Sequence, residues 1–287
     1  MTDQSLLGAD DLVLCAGTVM STPFLDRLAP AAAHGYRGVS MMPFDFFPLR
    51  AEGMTAAELA ARVADHGLAI AELDAITTWF DGHEPPASWG DMGTALRDNT
   101  AEALCPMAGA LGARSVSVVE FYGVEVDIDR ATAGFAHVCD VAAEHGLLAT
   151  LEFLPWTGVP TLGAGLEIVR GAGRPNGGVL VDSWHLFRSG GTLEELARVP
   201  AELIGYVQID DAPAEAEPDP AEETQHRRLV PGEGDFDLVG LVRTLHAIGC
   251  TSPLGVEVFS DELMAEPPEE AARRCAEAMR EVLRAAG

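Results

Sequence analysis

Four polar residues interrupt apolar runs in a way that suits metal chemistry. Glu152 follows LLATL, Asp182 follows GVLV, Gln208 follows LIGYV and Glu257 follows PLGV. Each falls at the carboxyl end of a run that reads as a buried strand. If those strands are neighbours in one parallel barrel, the four side chains meet at its mouth. Three carboxylates brought that close repel one another unless a cation sits among them. A divalent ion supplies that charge. Carboxylate and carboxamide oxygens suit Mn²⁺ or Mg²⁺, and the mixed set also admits Co²⁺, Zn²⁺ or Fe²⁺.

Other groups surround this set. His185 comes three residues after Asp182 in VDSWHLFRSGG. It suits a metal or substrate ligand, a proton shuttle, or a group that orients Asp182. Glu120 ends the run SVSVVEF and is suited either to a sugar hydroxyl or to supporting hydrogen bonds. His226 stands beside Arg227 and Arg228, close to the compact ending RLVPGEGD. His83 lies in the loop WFDGHEP and is a further candidate for the pocket. His34, His66 and His145 look like helix-end punctuation, and His137 and His246 fall within helices. Trp79, Phe80, Trp156, Trp184 and Phe259 fall near the expected mouth. Their faces suit either the C–H surface of a sugar or packing beneath long loops.

The elements needed to position these residues recur along the chain. Strand-like runs occupy 12–17, 38–43, 68–75, 115–121, 147–153, 178–182, 203–210 and 253–259. Helical patterns follow each, near 24–35, 55–67, 93–111, 129–146, 161–171, 192–198, 236–248 and over the C-terminal PEEAARRCAEAMREVLRAAG. Thr55 is placed to cap the second helix and Gly67 to end it. The strands are apolar without strict alternation, as buried parallel strands are. Eight strand–helix repeats predict an α/β fold, a single (β/α)8 TIM barrel over residues 1–287. The long stretches 76–92, 121–129, 154–160 and 211–235 all follow strands, on the active face of such a barrel. The last is read as a flexible acidic loop returning to the mouth.

Bulk composition narrows the function. With 45 Asp+Glu against 18 Lys+Arg the formal net charge is -27, which disfavours nucleic acid and anionic membranes as partners. The five cysteines lack CxxC spacing and read as reduced, buried thiols. MTDQSLLGADD has no basic region followed by an apolar run, and no stretch is long enough to cross a bilayer. A cytoplasmic protein with a small-molecule substrate is the expectation.

LEFLPW at 151–156, VDSWH at 181–185, VQIDDA at 207–212, RLVPGEGDFD at 228–237 and GVEVFS at 255–260 resemble the sugar phosphate isomerase/epimerase superfamily. Its members share a xylose isomerase-like TIM barrel and include inosose and 3-dehydroshikimate dehydratases. The resemblance covers nearly the whole chain. It implies that Glu152, Asp182, Gln208 and Glu257 bind one catalytic divalent metal. Epimerases of the group often carry His at the strand-seven position, so Gln208 looks more like the dehydratase branches. The resemblance further implies that Glu152 and Glu257 act as base and acid on opposite faces of a polyhydroxy ketone, next to its carbonyl. His185 is the candidate acid for a departing hydroxyl. Arg227 or Arg228 resembles the basic residue that meets substrate oxygens. A homodimer or tetramer is also implied. Isomerisation or epimerisation and dehydration both start with the same proton abstraction. A metal-dependent endonuclease needs more histidines and a surface that meets phosphate. A non-catalytic barrel is the remaining alternative.

Overall fold

The computed structural model describes residues 7–287, so the first six residues of the N-terminal reading lie outside the described part. Eight parallel strands form a closed barrel in sequence order: β1 Leu12–Leu14, β2 Gly38–Met41, β3 Ala69–Ile76, β4 Ser115–Val119, β5 Leu148–Glu152, β6 Gly177–Asp182, β7 Ile204–Ile209 and β8 Leu254–Val256. β1 pairs with β8 through Leu12–Leu254, Val13–Gly255 and Leu14–Val256, which closes the ring.

The apolar character of the strands follows from this closure. Val13, Cys15, Ala71, Leu180 and Tyr206 pack together although β1, β3 and the paired strands β6 and β7 from which they come do not adjoin one another. Such residues can touch only across the barrel interior, which they fill. A larger cluster lies between the strands and the helices outside them, with Phe135, Phe153, Leu59 and Leu104 fully buried. Each such side chain contributes about 1.5–3 kcal/mol over an exposed position.

Close approach constrains the strands at β6. A Cβ on Gly178 would lie 2.9 Å from the Gly205 nitrogen and 3.0 Å from the Leu203 oxygen, both main-chain atoms of the neighbouring segment. Gly178→Ala should destabilise the barrel by about 1–3 kcal/mol, since backbone cannot move aside as a side chain can. Calorimetry checks this; an unchanged Tm would show that the strands separate freely.

Several expected elements are present with altered limits. Thr55 caps Ala56–Asp65 by accepting a hydrogen bond from the Glu58 N–H, and the Glu58 carboxylate accepts one from the Thr55 N–H. Gly67 follows in the left-handed region, with φ 71. The helix expected over 93–111 is two helices, Gly90–Arg97 and Ala101–Leu111, because Thr100 caps a new start. Pro43–Ala51 is helical and was not expected. β8 is shorter than expected, so Glu257 lies just beyond the strand.

Two short helices at the mouth also escaped the reading. Ser183–Arg188 begins directly after β6, with Asp182 as its cap. Pro220–His226 lies inside the stretch expected to be a flexible loop, capped by Asp219. That loop is tied down at several points. Asp211 and Leu229 exchange backbone hydrogen bonds, and the Asp211 carboxylate accepts from the N–H groups of Gly232, Gly234 and Phe236 at 2.8, 3.1 and 3.0 Å. Among the described residues no helix is long and apolar enough to cross a membrane.

Candidate active site

A cavity of about 550 Å³ opens at the carboxyl ends of the strands. Asp74, Glu152, His185, Arg228 and Glu257 line it, together with an apolar wall that includes Trp156 and Phe259. Register explains part of this convergence. Asp182 pairs with Gln208 across β6 and β7, and Gln208 pairs with Gly255 two residues before Glu257.

Donor atoms of Glu152, Asp182 and His185 all lie within 4.8 Å of one another. Gln208 Oε1 and Glu257 Oε1 are buried without a hydrogen-bond partner. Unpaired buried oxygens are costly, and their presence beside three convergent donors is what a cation site requires. The residues present therefore fit a divalent metal held by Glu152, Asp182, Gln208 and Glu257, with His185 against the same set. His185 Nε2 is 3.3 Å from Glu152 Oε1 and also 3.3 Å from Arg228 Nη2. That nitrogen either donates to Glu152 or accepts from Arg228, so its protonation decides which partner it holds.

Arg228 is the electrostatic centre. It is buried, with polar partners around its whole guanidinium. Nη1 donates to Asp182 Oδ2 at 2.7 Å and to Asp210 Oδ2, and lies 3.4 Å from the Glu257 carbonyl oxygen. Nε and Nη2 donate to Thr224 Oγ1 at 3.1 and 2.7 Å. Asp182 also accepts from the His185 N–H at 2.9 Å. Burial pushes the Asp182 carboxyl up, but Arg228 and His185 outweigh it and hold the group below its ordinary range. Burial, then the neighbouring Asp182, drives Asp210 well above its range. Burial also raises Glu257, with Asp74 the next cause.

Asp74, at the end of β3, was not singled out in the sequence. Ser117 Oγ donates to its Oδ1, and the half-buried carboxyl faces the cavity. Burial, then repulsion from Glu152, raises its pKa from the ordinary 3.8 to about 7. The folded chain thus holds a proton there that the unfolded chain has released. Its contribution to stability is complete below about pH 4 and is lost as pH rises towards 7. Chemical denaturation of metal-free protein at a series of pH values should show this decline, and Asp74→Asn should flatten it; an unaltered slope would place the bound proton elsewhere.

The substrate-facing roles expected for three residues are corrected by their positions. Glu120 is fully buried outside the cavity lining and accepts from the N–H groups of Tyr122 at 2.8 Å, Val124 at 3.3 Å and Gly158 at 2.8 Å, so it fixes two loops. Trp184 is fully buried beneath Trp156, with ring centroids 5.9 Å apart. Arg227 points outward to Glu217 and Glu222. His226 does reach the rim, where its Nδ1 lies 3.0 Å from Asp261 Oδ1. His83 is buried, stacked on Phe80, and outside the lining.

With this geometry in place, the relationship to known proteins is clear. The chain matches the xylose isomerase-like TIM barrel family over residues 28–282. It belongs to that family and, with relatives named as isomerases, an epimerase and dehydratases, stands among its enzymes. It is 39% identical over 127 residues to a 3-dehydroshikimate dehydratase of Pseudomonas aeruginosa, a stretch covering 44% of this chain and 20% of that protein. The chain thus spans about a fifth of the length of that dehydratase. It is 26% identical over 275 residues to an inosose isomerase of Bacillus velezensis, covering 92% of this chain and 94% of the relative. In three dimensions it is similar to the IolI protein with a bound zinc atom, at TM-score 0.82 and 22% identity over 95% of this chain and 98% of that one.

Proposed function

We propose that this chain is a divalent-metal-dependent isomerase or epimerase that removes a proton next to the carbonyl of a small polyhydroxy ketone. The single observation that carries the reading is the donor set at the cavity floor: Glu152, Asp182 and His185 in mutual reach, with unpaired oxygens of Gln208 and Glu257 beside them. The relative that spans nearly the whole chain is named an inosose isomerase, and IolI, which has a similar fold, is described with a bound zinc atom. Mn²⁺ or Mg²⁺ suits the oxygen-rich set here, and Zn²⁺ is the other candidate. A bound cation supplies electrophilic stabilisation of negative charge on a substrate oxygen.

The chain's own groups do the remaining work. Glu152 and Glu257 open to the cavity and are the proton carriers. Return of the proton to the other face gives an epimer, and return to the neighbouring carbon gives an aldose–ketose shift. Trp156 and Phe259 supply an apolar wall for the C–H face of the substrate.

A second reading rests on a specific observation, the 39% identity to a 3-dehydroshikimate dehydratase over 127 residues. His185 then protonates a departing hydroxyl. Products separate the two: a rearranged ketose or cyclitol marks the isomerase, and a new olefinic signal marks the dehydratase.

Metal binding is tested directly by calorimetric titration of metal-free protein with Mn²⁺. Gln208→Ala should weaken affinity by about 10–100-fold, the range seen when groups that support a metal site are lost. Unchanged affinity would remove Gln208 from the coordination shell.

A further inference from the structure

The cavity has an unusual charge inventory. The chain contains no lysine; all 18 of its basic Lys/Arg residues are arginines. Among the described residues lining the cavity, Arg228 is the sole Lys or Arg. It is not free to meet an anion. Its guanidinium is buried and its N–H groups face Asp182, Asp210, Thr224, His185 and the Glu257 carbonyl. Arg227, the other candidate, points away towards Glu217 and Glu222. His226 at the rim is held by Asp261, a carboxylate that lines the same opening.

The negative side of the inventory is larger. Glu152, Glu257, Asp74 and Asp261 line the cavity, and Asp182 adjoins it. A divalent cation among Glu152, Asp182 and Glu257, together with Arg228 on Asp182, offsets those three carboxylates and leaves nothing to spare for a further anion. Asp74 stands outside that set. Its Oδ1 is occupied by the Ser117 hydroxyl, while Oδ2 makes no hydrogen bond and belongs to a side chain that faces the cavity. An acceptor of this kind, partly fixed and partly free, fits a hydroxyl donor and repels a second anion.

We propose that the cavity selects an uncharged polyhydroxy ketone and rejects substrates that carry a phosphate ester or a carboxylate, with Asp74 as the residue that binds a substrate hydroxyl and enforces the exclusion. This rests on the function proposed above and narrows its substrate class. It separates this site from a 3-dehydroshikimate-type substrate, which carries a carboxylate. Specificity arises as much from the repulsive element as from the attractive one.

The test uses paired non-reacting probes on the whole chain at pH 8, with and without Mg²⁺. Myo-inositol is the uncharged probe and quinate the carboxylate of similar size. Saturation-transfer NMR should show myo-inositol bound and quinate at least 10-fold weaker. Asp74→Asn should weaken myo-inositol and raise the quinate-to-inositol affinity ratio by about 10-fold or more, as expected on removing one like charge at contact range. Circular dichroism confirms that the variant is folded, and Asp74→Glu should retain the preference for myo-inositol. Equal or tighter binding of quinate by the native chain, failure to bind myo-inositol, or an unchanged ratio in Asp74→Asn would each overturn the proposal. Turnover is read separately. Exchange catalysed on ketose phosphates as readily as on 2-keto-inositol overturns the charge selection while leaving the isomerase reading intact. Loss of exchange on every ketone with myo-inositol still preferred overturns that reading instead.

Discussion

Glu152→Gln should lower proton exchange next to the substrate carbonyl by about 10²–10⁴-fold, the contribution of one positioned general base. The substitution keeps size and hydrogen-bonding shape but removes the basic oxygen. Glu152 is the better placed of the two proposed proton carriers because its side chain, 12% exposed, opens to the cavity, while Glu257 is 3% exposed. The variant has a second effect that a folding defect would not produce. Glu152 contributes to the raised pKa of Asp74, so its neutralisation should bring Asp74 down from about 7. Carbon NMR titration of the metal-free variant reads that shift. Exchange at the native rate would remove Glu152 from the role of base, and a native Asp74 titration would show that the two carboxyls do not interact.

Arg228→Met should destabilise the metal-free protein by about 3–5 kcal/mol. Asp182 and Asp210 have no solvent exposure and share Arg228 Nη1, so removal of the guanidinium leaves two buried acids facing each other. For a chain of this length the loss corresponds to a Tm decrease of roughly 10 °C. Arg228→Met combined with Asp210→Asn should recover part of it, because one of the unpaired acids is then neutral. Calorimetry of the single and double variants separates a charge effect from a simple loss of packing against Phe259, whose ring centroid is 5.2 Å from the guanidinium carbon. Equal Tm values for native protein and Arg228→Met would contradict the central position given to this residue.

Much of this arrangement is visible in the sequence because of one contrast. A lone polar residue at the end of an apolar run stands out, and Glu152, Asp182, Gln208 and Glu257 all do so. The eight strand–helix repeats then supply the convergence. Other residues lack that contrast. Asp74 follows Glu72 closely in AELDA, and alternation alone does not distinguish the acid that faces the cavity from the fully buried one, whose Oε1 accepts from Thr150 and Ser115. Asp210 is hidden in VQIDDA, where three polar residues occur within four positions.

The loops explain the rest. The register of the Arg227–Arg228 doublet is set by an antiparallel bridge from Arg227 to Ser260 and by the hold of Asp211 on the following turn, both made across long sequence separations. Trp184 follows the end of β6 by two residues, which puts it near the expected mouth. In fact Asp182 starts a helix there, which turns Trp184 inward and His185 towards Glu152. Glu120 was similarly a carboxylate at a strand end, but loop N–H groups from Tyr122, Val124 and Gly158 consume it.

The most direct test of metal-dependent proton abstraction is proton NMR in D₂O, with 2-keto-inositol and free ketoses as substrates and the protein loaded with Mg²⁺ or Zn²⁺. The account predicts that deuterium enters next to the carbonyl, that chelation of the metal stops it, and that Glu152→Gln suppresses it. Exchange that persists without metal, or no exchange on any ketone by fully loaded protein, would contradict it.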